Sequence, residues 1–375
     1  MRIAMIGSRG IPASYSGFET AVENLSIRLV KRGHDVTVYC RSTHVRYEGD
    51  VYQGVRLVKL PTLPSKHFDT IVHTFLSILH LLFRAFDVVY ICGVGNSLLA
   101  WMPRLAGKKV VLNVDGADWE RKKWGGFARW FLKASERWAT WFADVIIADS
   151  RKVQEYYQRQ YGASSEFLPY GAAMPEITSQ AHLARLGLQP RGYFLFVGRL
   201  VPENGAHQLL EAYRGLKTDK QVVIVGDAPY AGDYIRELKQ NAPAGAVFTG
   251  YLFGDGYREL SAHAYVFVLA SEVGGTHPVL VEQMAAGNAV LVNGIATNRE
   301  TIGDAGRAYA TEGGAEALRQ ELQYLLDHPD TVRDLRARAK ERAQRHYSWE
   351  AVTAGYEALF NRLLNRKEGA PHAQK

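Results

Sequence analysis

The chain has 375 residues, of which 47% are hydrophobic and 22% are charged, and its formal net charge is +7. This length is too great for one ordinary core and predicts two globular domains. The two cysteines, Cys40 and Cys92, lie in apolar runs and are interpreted as buried thiols, which excludes a disulfide framework. The positive charge favours anionic partners, but no RNP signature, zinc spacing or basic helix-turn-helix indicates nucleic acid. No Cys/His spacing indicates a metal.

The first half of the chain has the pattern of a buried parallel sheet. It begins with the strand "RIAMIG" rather than a signal peptide, and a helix at 18–33 follows. Short apolar strands then recur as "DVTVYC", "FDVVYIC", "KKVVLNV" and "ADVIIADS", separated by helical stretches. The longest apolar run, 71–83, is too short to span a bilayer. We therefore expect a cytoplasmic protein and leave peripheral contact with the inner face of the plasma membrane open.

The second half repeats this α/β layout from residue 192. Predicted strands are "GYFLFVGRL", "QVVIVGD", "AVFTGY", "YVFVLAS" and "AVLVNG", and predicted helices occupy 205–216, 232–240, 255–263 and 278–286. The stretch "LPYGAAMPEITSQ" predicts a linker. The predicted organisation is a Rossmann-like domain at 1–171, a second at 172–347, an amphipathic helix at 348–364 and a polar tail at 365–375. Ligand-binding loops should follow the strands, because parallel strands end at one edge of a sheet.

The strongest candidate site is the stretch "ASEVGGTHPVLVEQMAAG" at 270–287. Two glycines precede a predicted helix whose first residue is Pro278. The start of a helix attracts anions, so the N–H groups at 275–277 can bind a diphosphate. Glu282, about one turn into the helix, can accept hydrogen bonds from ribose hydroxyls; the alternative is an ordinary cap with a solvated glutamate. The residues assigned to this donor site are Gly274, Gly275, Thr276, His277 and Glu282.

Three other strand ends in the second half also carry candidate residues. Arg199 directly follows a strand, and a guanidinium can bind two phosphate oxygens; the alternative is an interdomain salt bridge. Gly226 allows close approach of the backbone to a ligand, whereas Asp227 is expected to cap the next helix. Tyr251 follows another strand, where its ring can stack on a nucleobase.

The glycine-rich loop "GSRGIPASYSGFE" connects the first strand to the first helix. Gly10 and Gly17 would let the backbone approach a phosphate or sugar, with Arg9 beside it. The loop is not the G-x-G-x-x-G fingerprint of dinucleotide-binding domains. The alternative is an ordinary loop between a strand and a helix.

Acidic and basic residues follow another strand in "LNVDGADWERKKW". Asp115 is expected to steady positive charge on a sugar carbon, and Asp118, Arg121 and Lys122 are assigned to an acceptor. The alternative for the aspartates is turn chemistry, since Asp-Gly is a common turn pair. The basic, aromatic residues that follow either touch anionic lipid or belong to a core helix with one solvated face, and we favour the core helix for 134–142.

Several of these motifs together resemble a known family. "VGRLVPEN", "GGTHPVLVEQMAAG", "LPYG" and "YSWEAVTAGYEALF" are similar to retaining GT-B glycosyltransferases of glycosyltransferase family 4. "GSRGIPASYSGFE" and "LNVDGADWERKKW" resemble a bacterial subset that includes β-1,4-rhamnosyltransferases of cell-wall, capsule and O-antigen synthesis. The resemblance covers residues 1 to about 364. It implies two Rossmann-like domains facing across a cleft, with the last helix packing back on the first. Arg199 would contact the donor diphosphate, Glu282 the ribose, and the acceptor would lie on the N-terminal side.

The chain departs from the wider family at three positions. Gly274 replaces the first acid of the usual E-x7-E pair, and Glu272 lies two positions away. Asn204 stands in the donor site where the family has a lysine after its "GR" motif, and Asp115 replaces the histidine of an "HG" turn. These changes imply different contacts to the sugar hydroxyls, as for a 6-deoxy sugar. They also leave more of the diphosphate to the backbone N–H groups and Arg9.

The expected reaction is transfer of a sugar, most simply L-rhamnose from dTDP-rhamnose, to a hydroxyl of a lipid-linked or polysaccharide acceptor. Catalysis would be electrostatic, with Arg199 and Asp115 as the catalytic residues and the donor phosphate taking the acceptor proton. No metal or cofactor is expected. The alternatives are a UDP- or GDP-sugar donor, a GT-B-like epimerase or phosphorylase, and a non-catalytic nucleotide-binding module.

Overall fold

The computed structural model describes residues 1–13, 17–63, 68–114, 119, 125–173, 177–228 and 231–365. The chain divides into two compact units. The described residues of the N-terminal unit lie within 1–119, 125–170 and 349–365, and those of the C-terminal unit lie within 171–348. The candidate residues Asp115, Asp118, Arg121 and Lys122 lie outside the described residues.

The N-terminal unit is built on a sheet that is parallel except at one edge. Within the described ranges the sheet has eight strands in the order β3-β4-β2-β1-β5-β6-β7-β8. Its helices and strands are β1 (Arg2–Ile6), α1 (Gly17–Lys31), β2 (Asp35–Arg41), β3 (Val51–Tyr52), β4 (Val55–Leu60), α2 (Asp69–Leu82), β5 (Val88–Cys92), α3 (Trp101–Leu105), β6 (Lys109–Asn113), α4 (Gly126–Phe142), β7 (Val145–Ala148), α5 (Arg151–Tyr161), β8 (Glu166–Phe167) and α14 (Trp349–Asn365). The central strands are buried on both faces, which explains their continuous apolar runs.

The antiparallel pair β3–β4 is a feature that the sequence analysis did not assign. Val51 pairs with Arg56 and Tyr52 with Val55 across a two-residue turn. Gln53 and Gly54 both have positive φ values, of 47° and 84°, as expected for the tight turn of a hairpin. The hairpin forms the edge of a sheet whose other pairings are parallel.

The C-terminal unit has a second sheet that is parallel throughout the described residues. Its six strands there run in the order β11-β10-β9-β12-β13-β14. Its helices and strands are α6 (Ala181–Arg185), β9 (Tyr193–Val197), α7 (Ala206–Arg214), β10 (Gln221–Val225), α8 (Gly232–Gln240), β11 (Ala246–Gly250), α9 (Gly254–His263), β12 (Val266–Leu269), α10 (Pro278–Ala285), β13 (Ala289–Asn293), α11 (Ala296–Ile302), β14 (Arg307–Tyr309), α12 (Gly314–Asp327) and α13 (Pro329–His346). The predicted parallel α/β architecture is confirmed.

The last helix belongs to the N-terminal unit although it follows the C-terminal unit in sequence. Trp349, Tyr356 and Phe360 of α14 are buried in the same core as the apolar face of α1. Polar contacts add to this packing, since Glu357 accepts a hydrogen bond from Arg32 at 2.8 Å and pairs with His34 at 2.7 Å. No helix in the described part of the chain is both long and apolar enough to cross a bilayer.

Candidate active site

The candidate residues of the C-terminal unit lie at one edge of its sheet. Arg199 and Asn204 follow β9, Gly226 follows β10, Tyr251 follows β11, and the segment 274–282 follows β12. These four strands are adjacent and parallel, in the order β11-β10-β9-β12. The carboxyl edge of such a sheet is where ligands bind in doubly wound domains. The predicted donor residues are therefore brought to the same edge.

The segment before α10 has a backbone that only glycine accommodates easily. Gly274 has a φ of +145°, and a Cβ there would lie 2.8 Å from the His277 ring. Its carbonyl accepts a hydrogen bond from Thr297 Oγ1 at 2.9 Å, which fixes the segment to α11. Gly275 and Thr276 are buried, and no side-chain cap of α10 is found within the described residues. The amides at the start of the helix are therefore held where an anion can bind.

Glu282 is held by a neighbouring helix rather than solvated. Its side chain is partly buried, and Tyr257 Oη on α9 donates a hydrogen bond to Glu282 Oε2 at 2.6 Å. Gln283 Nε2 in turn donates to Tyr257 Oη at 3.2 Å. Burial raises the pKa of Glu282, whereas the hydrogen bond from Tyr257 and the charge of Arg258 oppose that rise. The carboxylate is thus oriented before any ligand binds.

Arg199 occupies a braced turn at the end of β9. The Asn204 side chain donates a hydrogen bond from Nδ2 to the Arg199 carbonyl at 2.8 Å, and the N–H of Val201 donates to the same oxygen at 2.9 Å. No ion pair or side-chain hydrogen bond holds the guanidinium within the residues described here. Asn204 therefore fixes the turn that presents Arg199, and direct contact between Asn204 and a donor stays a prediction.

Gly226 marks a close approach between two strand ends. Its φ is +139°, and a Cβ there would lie only 1.9 Å from the carbonyl oxygen of Gly198. The Gly198 N–H donates to Val225 O at 3.0 Å, and the Gly226 N–H donates to Gly250 O at 2.9 Å. Packing between β9, β10 and β11 therefore accounts for Gly226 without a ligand.

The prediction that Asp227 caps the next helix is wrong. Asp227 Oδ1 accepts a hydrogen bond from the N–H of Ala228 at 2.7 Å. Helix α8 begins only at Gly232, after Ala231, so Asp227 is too far from the helix start to cap it.

The aromatic residues after β11 form a small exposed platform. Tyr251 is 38% exposed, and Phe253 is 47% exposed. Their rings stack with centroids 6.0 Å apart and an interplanar angle of 18°. Tyr251 was predicted as a base-stacking residue, whereas Phe253 was not, although two aromatic residues two positions apart after a strand are a recognisable signal.

Glu272, which the sequence analysis noted only as a neighbour of the missing acid, is part of a hydrogen-bonded network. Gln208 Nε2 donates to Glu272 Oε1 at 2.7 Å, and Tyr309 Oη donates to Gln208 Oε1 at 3.2 Å. The Glu272 N–H donates to the carbonyl of Glu203 at 3.0 Å. This network connects the segment before α10 to the turn that carries Arg199. Its partners come from distant parts of the sequence, so no local pattern could identify them.

The loop after β1 in the N-terminal unit contains the other donor candidates. Gly10 has a φ of +107°, and a Cβ there would lie 2.5 Å from Cys40 Sγ. Packing on β2 therefore accounts for this glycine. The Arg9 N–H donates to Glu19 Oε1 at 3.1 Å, and Gly17 is the first residue of α1. Donor contact by Arg9, Gly10 or Gly17 stays a prediction. No group of three or more metal-ligating side chains occurs in the described part of either unit.

Substituting Tyr257 by phenylalanine is expected to make ligand binding more sensitive to acid. The change removes the donor to Glu282, so the pKa of Glu282 should rise further and its ionised form should be lost at a higher pH. Titration calorimetry with nucleoside diphosphates at acidic and neutral pH should show Kd increasing about threefold more in the variant than in the wild type. Glu282→Gln cannot titrate at this position, so its Kd should vary less with pH. Identical pH profiles for all three proteins would contradict this role of Tyr257.

Known protein families match both halves of the chain. Residues 180–346 match the family described as glycosyl transferases group 1, and residues 1–173 match a domain of unknown function, DUF1972. A glycosyltransferase assigned to teichuronic acid biosynthesis in Bacillus subtilis is 28% identical over 65% of this chain and 57% of its own length. The MMP alpha-(1→4)-mannosyltransferase of Mycolicibacterium hassiacum is 24% identical over 64% of this chain and 61% of its own length. The chain thus matches about three fifths of these curated relatives.

Solved structures share the fold across nearly the whole chain. Sucrose-phosphate synthase from Thermosynechococcus elongatus has a TM-score of 0.83 at 20% identity, covering 97% of this chain and 99% of its own. HepE of Anabaena, crystallised with UDP-glucose, has a TM-score of 0.77 at 17% identity. The match covers 96% of this chain and 99% of the HepE chain. The chain therefore has the α/β fold of GT-B glycosyltransferase structures. Within it, residues 180–346 are the part that is similar to group 1 glycosyl transferases.

Proposed function

We propose that the protein is a retaining glycosyltransferase of family 4 that builds a cell-surface glycan from a nucleotide-sugar donor. The observation that supports this most directly is the start of α10. There, a glycine backbone anchored by Thr297 precedes a helix whose carboxylate, Glu282, is oriented by Tyr257. An anion site and an oriented carboxylate about one turn apart fit the diphosphate and the pentose of a nucleotide. The sequence match of this same region to group 1 glycosyl transferases supports the proposal.

The proposed chemistry is electrostatic. As the bond between sugar and phosphate breaks, negative charge grows on the leaving diphosphate. The amides at the start of α10 and the Arg199 guanidinium stabilise it, and such preorganised groups contribute most when water is excluded. The acceptor hydroxyl attacks from the face that the diphosphate leaves, and a phosphate oxygen takes its proton. Asp115 steadies the sugar cation, and Asp118, Arg121 and Lys122 bind the acceptor.

The proposed donor is dTDP-L-rhamnose, and the proposed acceptor is lipid-linked or a polysaccharide. The glycine at 274 supports a donor with unusual sugar contacts, because it removes the acid that other family members use. Glu272, held by Gln208, is the nearest carboxylate in sequence. The UDP-glucose complex of HepE favours the alternative of a UDP-sugar donor. The two donors would make different contacts with the Glu282 carboxylate. The pentose of a thymidine nucleotide offers one hydroxyl, at the 3′ position, whereas that of a ribonucleotide offers two.

Titration calorimetry with dTDP-rhamnose, UDP-glucose and GDP-mannose tests this proposal. We expect the tightest binding for dTDP-rhamnose and an affinity loss of about tenfold in Glu282→Ala, since one hydrogen bond to a carboxylate is lost. Glu341→Ala, which removes an exposed acid on α13, is the matched control and should leave affinity unchanged. Tighter binding of a ribonucleotide sugar would overturn the donor assignment. Failure of every nucleotide sugar to bind, or conversion of the donor without acceptor, would overturn the transferase function.

A further inference from the structure

Exposed apolar side chains concentrate on three consecutive helices of the N-terminal unit. Among the described residues, nine of the fifteen exposed large hydrophobic side chains lie on α2, α3 and α4 or their caps. Soluble domains scatter such residues singly, whereas clusters mark an interaction surface. This uneven distribution indicates an interaction surface, and the charges around it indicate the kind of partner that fits.

Helix α4 presents its aromatic residues along one outward-facing stripe. Phe127 is 79% exposed, Trp130 is 61% exposed and Trp141 is 55% exposed. At about 100° per residue, these three positions and Arg137 lie on the same side of the helix. The Phe127 and Trp130 rings are 5.8 Å apart, and the Arg137 guanidinium lies 5.4 Å from the Trp141 ring centre. Residues 134–142, predicted as a core helix with one solvated face, bury Ser135, Glu136 and Ala139 and expose Arg137 and Trp141.

The stripe continues onto α3 and α2. Arg104 Nη1 on α3 donates to the carbonyl of Trp141 at 2.6 Å, which joins α3 to the end of α4. Lys108 Nζ donates to the carbonyl of Arg84 at 2.6 Å, which joins the end of α3 to the end of α2. The exposed apolar residues at this junction are Phe83 at 89%, Leu105 at 80% and Trp101 at 42%.

The charges of this surface are basic. Helix α4 contains one acid, Glu136, which is buried and accepts hydrogen bonds from Tyr156 and Tyr161 at 2.8 and 2.6 Å. Its exposed charged residues are Arg129 and Arg137. The acid of α2, Asp69, is paired with the buried Arg41. The acid after α4, Asp144, lies within 4 Å of Arg104 and Lys109. Exposed cations therefore face outward while the acids are neutralised.

We propose that the outward faces of α2, α3 and α4 form a docking surface for an anionic phospholipid bilayer. Tryptophan and phenylalanine insert at the headgroup level, and arginine beside them binds lipid phosphate, which matches this composition better than a protein partner or a second copy of the chain. The protein lies on the bilayer without spanning it. The surface concerns where the protein works rather than its donor chemistry, so it can be tested without donor or acceptor.

Vesicle co-sedimentation with the full chain tests the surface. The wild type should bind phosphatidylcholine vesicles that contain phosphatidylglycerol, bind pure phosphatidylcholine vesicles much less, and dissociate at high salt. Trp130→Ser with Trp141→Ser should lower the partition coefficient about tenfold or more. The matched control is Tyr47→Ser with Val51→Ser. These residues are 39% and 55% exposed in the same unit, in or just before the edge strand β3 and not on the three helices, and partition should not change.

Further measurements separate lipid binding from misfolding and from association with protein. Arg129→Gln with Arg137→Gln should weaken binding to the anionic vesicles about tenfold and leave thermal unfolding unchanged. Brominated lipid should quench the tryptophan fluorescence of the wild type. Most of that quenching should be absent in the double tryptophan variant. Equal vesicle binding by all variants would overturn the proposal. A wild-type dimer that the double tryptophan substitution dissociates, with no vesicle binding, would assign the surface to a second copy instead.

Discussion

Replacing Arg199 by alanine is expected to lower kcat/KM for sugar transfer by about 10²–10³-fold, the loss typical of removing one group that stabilises transition-state charge. The guanidinium has no ion-pair partner among the described residues, so its removal should not disturb packing. The turn that carries it is held separately by Asn204 through the Arg199 carbonyl. Steady-state kinetics with the donor that binds, together with thermal unfolding, measure both effects.

The control for this substitution is another arginine of the same unit. Arg333 on α13 has a 74% exposed side chain and pairs with the exposed Asp330. Arg333→Ala should therefore change kcat/KM by less than about twofold. Arg199→Lys should recover part of the activity, because a lysine keeps the charge but loses the two-pronged geometry. Wild-type turnover in Arg199→Ala, or a large fall in its unfolding temperature, would contradict the assigned role.

Replacing Gly226 by alanine is expected to destabilise the C-terminal unit by about 4 kcal/mol or more, which is large for a single substitution. The added Cβ would lie 1.9 Å from the Gly198 carbonyl oxygen, at a φ of +139° that L-residues rarely adopt. The backbone must move apart there, and Gly198 is the residue directly before Arg199. Loss of stability and loss of donor binding should therefore occur together.

Gly250 provides the matched control for Gly226. It also ends a strand of the same sheet and has a φ of +70°, but a Cβ there would meet nothing within 4 Å. Gly250→Ala should cost only about 1–2 kcal/mol from backbone strain. Denaturant unfolding of both variants measures the difference. If the two substitutions cost the same, the close approach of the β9 and β10 ends is not what requires glycine at 226.

The sequence predicted the parallel strands well because their burial on both faces leaves continuous apolar runs. The helix ends were less accurate. The predicted helix 205–216 begins at Ala206, since Gly205 has a φ of +73° and closes a preceding 3-10 turn. Helices α11 to α13 were not assigned from the sequence. In α13 the charges on the exposed face outnumber the few buried apolar residues, which weakens its pattern.

The local part of the candidate site was also predictable, whereas its partners were not. Glycines, a proline and one acid within nine residues indicated an anion site at the start of a helix. The hydrogen bond from Tyr257 to Glu282 joins residues 25 positions apart, and the one from Gln208 to Glu272 joins residues 64 apart. Such pairs depend on how α9 and α7 pack on the sheet. No spacing rule within the chain contains that information.

Placing α14 in the N-terminal unit has a consequence for how the chain is made. A ribosome synthesises the strands of that unit first and the residues that complete its core last. Until Trp349, Tyr356 and Phe360 have emerged, the nascent N-terminal unit exposes the apolar face of α1 that they cover. By contrast, the described residues of the C-terminal unit all lie between Gly171 and Ser348, so they can pack together as soon as that stretch is translated. A premature stop after residue 348 would therefore remove part of the core of the N-terminal unit, which is translated before the C-terminal unit.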